Sequence, residues 1–78
     1  MSARRVVYVV EPRDDGRWAA QRRGSSRASV VTENKSSAIN EARRLAQQHE
    51  LSQVVIMTAN GRIEREYTYG KDPRRFVG

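Results

Sequence analysis

Residues 52–69 combine the apolar run Val54-Val55-Ile56-Met57 with the chain's clearest turn signal, Asn60-Gly61, and the alternation on either side of that pair predicts a β-hairpin. Asn-Gly is the preferred pair for a two-residue type I′ loop, whose central residues both need positive φ. With the turn there, Thr58 faces Ile63, Ile56 faces Arg65 and Val54 faces Tyr67. One surface then collects Val54, Ile56, Ile63, Tyr67 and Tyr69 and forms the core. The other carries Val55, Met57, Arg62, Glu64, Glu66 and Thr68. Being apolar on both sides, the first strand reads as central, and the second reads as nearer an edge.

The remaining pattern supplies three more strand signals and one helix. Residues 6–10 are a β-branched run with Tyr8 at the centre, a strand buried on both faces. Pro12 and Asp14-Asp15-Gly16 reverse the chain between Glu11 and Arg17. A second strand over residues 17–23 places Trp18 and Ala20 on one face, with arginines mainly on the other, and Trp18 reads as a core anchor. A serine-rich loop at 24–29 leads into a short third strand within 28–32. Asn34 is then placed to cap a helix over about residues 35–50. Ala38, Ile39, Ala42, Leu45, Ala46 and His49 recur at helical spacing as its narrow buried stripe, leaving Arg43 and Arg44 on the flank and outside.

Together these elements predict an α+β domain: one antiparallel sheet of four to five strands, in the order β-β-(β)-α-β-β, with a single helix packed on one face. At 78 residues the chain reads as one domain with flexible basic ends at about 1–4 and 71–78, where Pro73 and two glycines oppose regular structure and Phe76 is free to tuck onto the sheet. No apolar run approaches a membrane span and the N-terminus lacks the apolar core of a signal peptide, so the plain expectation is a cytoplasmic protein with no membrane partner.

Charge changes the picture most. The formal net charge is +6, carried by thirteen arginines against two lysines. Guanidinium groups suit bidentate phosphate contacts, and nucleic acid, DNA or RNA, is the polyanion to consider; arginine enrichment is equally what a solvated surface encoded by GC-rich sequence would show.

Catalytic chemistry finds no set of converging groups. There is no cysteine, and the one histidine, His49, has no second histidine or cysteine to share a metal or activate a nucleophile. Asp14-Asp15 sits in turn chemistry, Ser25, Ser26, Ser29, Ser36 and Ser37 lack a base at motif spacing, and no phosphate-cradling glycine loop is present. The expectation is a protein that is not an enzyme, with no cofactor, metal or catalytic residue. The helix-turn-helix, RRM, KH and zinc-finger patterns are missing as well.

Tyr8-Val9-Val10, Asp15-Gly16-Arg17-Trp18, Ala38, Ala42-Arg43, Val54-Val55-Ile56, Asn60-Gly61-Arg62-Ile63 and Tyr69-Gly70-Lys71-Asp72-Pro73 together resemble a family of small uncharacterised proteins, domain of unknown function 2188. The resemblance spans nearly the whole chain and implies a compact α+β domain without assigned chemistry. Residues 22–27 and Arg74-Arg75 depart from the family pattern.

Two functions follow as expectations. The first is binding of nucleic acid through phosphate contacts with little sequence specificity, by Arg4, Arg5, Arg17, Arg22, Arg23, Arg27, Arg74 and Arg75. Glu64 and Glu66 would repel phosphate from the second hairpin, which directs this surface to the first. The second is a protein-interaction module or homodimer, with an acidic partner or a second copy meeting Val55 and Met57 or an edge strand.

Overall fold

The computed structural model describes residues 5–70. Its elements are β1 (Val6–Pro12), β2 (Trp18–Arg22), β3 (Val30–Thr32), α1 (Lys35–Ala46), β4 (Leu51–Met57) and β5 (Ile63–Gly70). This is the expected α+β order, with the short third strand formed. The basic ends and Phe76 lie outside the described residues.

The strands make one sheet in the spatial order β3-β2-β1-β4-β5. It is mixed, which corrects the expectation of a wholly antiparallel sheet: β1 and β4 run parallel, with Val9 opposite Val55 and Val10 opposite Ile56. The other pairings are antiparallel. Three antiparallel strands leave β3 pointing the same way as β1. The helix then carries the chain back along the sheet, so β4 sets out from the end where β1 began. The runs in β1 and β4, apolar on both sides, are the pattern of strands that pair in parallel at a sheet's centre.

The core lies between this sheet and α1. Tyr8, Val10, Ala20, Val54 and Ile56 meet Ala38, Ala42 and Ala46, all buried. Alanine at the contact lets the helix axis approach the sheet closely, and larger side chains close the rim: Val6, Trp18, Ile39, Leu45, Tyr67 and Tyr69. Asn34 caps the helix as expected, its side chain accepting from the Ser37 amide at 2.8 Å.

The helix stops at Ala46 rather than near residue 50. Residues 47–50 must turn the chain before Leu51 opens β4, and His49 thereby leaves the helix to sit with Nε2 3.1 Å from the Tyr8 hydroxyl. Glu11 and Pro12, expected in the reversal, instead end β1.

The second hairpin does not use a type I′ turn. Among the described residues no residue other than glycine has positive φ, so Asn60 does not and only Gly61 does, at +84°. Thr58 sets the alternative: its amide donates to the Arg62 carbonyl at 2.6 Å, and its hydroxyl accepts from the amides of Asn60 and Arg62. The Gly61 amide closes the turn on the Thr58 carbonyl at 3.0 Å. The longer loop is absorbed by an irregularity between Ile56 and Met57, so Met57, not Thr58, stands opposite Ile63. Ile63 is consequently 57% exposed instead of joining the core. Val54 opposite Tyr67 and Ile56 opposite Arg65 are as expected. The first hairpin repeats the same pair of backbone bonds, Arg13 to Arg17 and Gly16 to Arg13. Because β1 and β4 are parallel, both loops lie at one end of the sheet.

Candidate nucleic-acid interface

Arg22 stands opposite Tyr8 near the start of β1, and the Arg23 amide extends the β1–β2 pairing by donating to the Val7 carbonyl at 2.8 Å. This brings the end of β2 beside the residue that precedes β1. Arg5, Arg22 and Arg23, all exposed, together with Val6 and Val7, line one open cavity of about 240 Å³. Arg27 is exposed in the loop that follows β2, a loop held by the Ser25 hydroxyl bridging the carbonyl and amide of Arg27 and by Gln21 donating to the Ser25 carbonyl at 2.6 Å. Four of the eight arginines expected at the site thus come from one end of the first hairpin and its following loop.

Arg17 does not join them. It precedes Trp18, which pairs with Pro12, so it belongs to the opposite end of the hairpin, about 16 Å from Arg22 along the strand at ~3.3 Å per residue. There it donates to Asp15 through Nε at 2.9 Å and a terminal nitrogen at 2.8 Å. The hydrogen bond from Arg17 holds the Asp15 carboxyl below the usual carboxylate range and raises the guanidinium in turn. Its charge is already answered. Arg4, Arg74 and Arg75 lie outside the described residues.

Carboxylates reinforce this polarity. Glu11, Asp14 and Asp15, with Arg13, line a separate cavity of about 320 Å³ at the loop end of the first hairpin, while a shallow groove of about 150 Å³ runs from Glu11 and Gln21 toward Arg22, Arg23 and Gly24. Among the described residues three ion pairs occur, Arg17–Asp15, Lys35–Glu64 and Arg44–Glu41, and none involves Arg5, Arg22, Arg23 or Arg27. The hairpin is uniformly basic where β1 begins and mixed in charge where it ends, with Arg13 and Arg17 among three carboxylates.

A second basic group was not legible as such in the sequence. α1 lies across β1 to β4, and Arg43 reaches past β4 to the far edge of the sheet, donating through Nε to the Tyr69 hydroxyl at 2.6 Å and sitting 4.6 Å from the Tyr67 ring centre. Arg65 donates to the Tyr67 hydroxyl at 3.1 Å. Arg43, expected on the solvated flank, is in fact half-buried. Its signal was the period-two pair Tyr67 and Tyr69 on the strand beside the helix.

The outer sheet face is less open than the interaction reading expects. Val55 is only 3% exposed, flanked by Val9 and by Glu66, which accepts from Gln53 across the strand pair, and Met57 is half-buried. Among the described residues no group of His, Cys, Asp or Glu could hold a metal ion, and no helix is long and apolar enough to cross a membrane.

Nothing among the curated proteins or the solved structures matches this chain. A family model does match residues 7–69, which include every strand and the helix apart from Val6 and Gly70 at the outer ends. With that span covered, the chain belongs to the family described as uncharacterized protein conserved in bacteria (DUF2188).

Proposed function

We propose that this protein binds nucleic acid through its sugar-phosphate backbone, without enzymatic activity, at the end of the first hairpin where Arg5, Arg22, Arg23 and Arg27 project. The observation that carries this reading is the joining of Arg5, Arg22 and Arg23 around one open cavity with no carboxylate paired to them among the described residues. Guanidinium forks on an exposed rim can each take a phosphate, and their placement on a strand end and a loop, with no recognition helix, gives contacts to the backbone in preference to base edges. At the turn end Glu11, Asp14 and Asp15 offset the guanidiniums of Arg13 and Arg17, which disfavours a phosphate strand there.

Four guanidiniums on phosphates give a slope of log affinity against log salt of about −3 to −4, and binding in the micromolar range or weaker. Titration with duplex DNA, single-stranded DNA and RNA at two salt concentrations tests this. Salt-insensitive affinity, or no binding at about 50 mM salt, rejects it. Self-association through Val55 and Met57 has less support, since Val55 is already covered within one chain and gains little from a partner.

A further inference from the structure

The side chains that link α1 to β5 gather donors without a matching acceptor. Arg43 and Arg65 stand 4.6 and 5.9 Å from the centre of the same Tyr67 ring, Arg43 bonded to the Tyr69 hydroxyl and Arg65 to that of Tyr67. Each phenol oxygen therefore accepts an N–H and keeps its own proton to donate. Each guanidinium has five N–H groups, of which only one is used in these bonds, and neither has a carboxylate within ion-pair distance among the described residues. Of the two acids adjacent to Arg65 in sequence, Glu64 is paired with Lys35 and Glu66 accepts from Gln53. Tyr67 offsets part of the repulsion between the two cations through its ring face, but no negative charge closes the cluster.

We propose that Arg43, Arg65, Tyr67 and Tyr69 form an oxyanion site for a phosphate group, distinct from the arginines at the start of the first hairpin. Two guanidinium forks and two phenolic O–H groups supply more donors than a planar carboxylate can accept, whereas a phosphate offers three or more oxygens in a tetrahedral arrangement. The group can be a phosphate monoester or an internal phosphodiester of a nucleic acid strand, since both present that chemistry. The two tyrosines fix the guanidiniums before the anion arrives, which lowers the ordering cost of binding.

The test is an NMR titration of the ¹⁵N-labelled full chain, following the arginine Nε–H resonances at constant ionic strength. Inorganic phosphate is added first, then a 5′-phosphorylated dinucleotide, then an unphosphorylated dinucleotide with one internal diester. The Arg43 and Arg65 resonances shift together and saturate, with a dissociation constant on the order of 1 mM for the isolated anion. Saturation by the diester identifies a backbone phosphate, and saturation by the monoesters alone identifies a terminal one; either supports the site. Arg65→Gln weakens binding about tenfold with the amide spectrum otherwise unchanged. Should that variant unfold, Arg65→Lys keeps the charge without the fork and shows the same direction of loss. Shifts that rise linearly without saturating, or equal affinity in wild type and the folded variant, overturn the proposal and leave Arg43 as a staple between helix and strand.

Discussion

The Ser52 hydroxyl donates to the Ala46 carbonyl at 2.6 Å, tying the last residue of α1 to the second residue of β4. Both residues are fully buried. A helix leaves its final carbonyls without intrahelical partners, and here the Ala46 carbonyl accepts both from the His49 amide at 3.1 Å and from a serine of the adjoining strand. Ser52→Ala removes that donor without adding bulk and leaves the carbonyl its His49 partner, so unfolding in urea should show a loss of about 0.5–1.5 kcal/mol. An unchanged midpoint would mean that the His49 amide alone satisfies the carbonyl.

Gly70 ends β5 at φ +118°, and a Cβ placed there would lie 2.1 Å from the Glu50 carbonyl oxygen and 3.0 Å from Leu51 Cα. Both obstacles are backbone, so neither yields by changing rotamer. Gly61, also at positive φ, has nothing within 4 Å of an added Cβ. Gly61→Ala should therefore cost only the left-handed penalty, about 1–2 kcal/mol, while Gly70→Ala costs clearly more. Thermal unfolding of the two variants side by side checks the ranking; equal losses would contradict it.

Asp15 is held below its ordinary value of 3.8 chiefly by the hydrogen bonds from Arg17. A carboxyl depressed in the folded state contributes stability that is present above its unfolded pKa and is lost as pH falls through the folded one. The pair is fully exposed, so its main effect is on the order of the turn. Carboxyl NMR should show Asp15 titrating below 3.8, and returning toward that value in Arg17→Ala. A titration unaffected by the substitution would remove Arg17 as the cause.

Much of this architecture could be read from residue pattern: the capping Asn34, the alanine stripe, the central runs of β1 and β4 and the Val54–Tyr67 register all act through local chemistry. The parallel pairing of β1 and β4 could not be read the same way, because strand direction depends on where the helix returns the chain. Asn60-Gly61 misled for a side-chain reason: the Thr58 hydroxyl takes two amides and stabilises a longer loop with one left-handed residue. At the candidate site, Arg22 and Arg23 were legible as a cluster. That Arg5 joins them required the β1–β2 register, and that Arg17 is ion-paired required the turn geometry of Asp15.

The most direct test of phosphate binding at this end of the hairpin compares two double variants of equal net charge. Arg22→Gln with Arg23→Gln removes charge at the proposed surface. Arg13→Gln with Arg62→Gln removes it from exposed positions in the two loops at the opposite end. The slope of log affinity for single-stranded and duplex DNA and RNA against log salt should become shallower by about 2 in the first variant and stay unchanged in the second. Equal effects from both variants would show that net charge alone drives the association and would contradict the assigned surface.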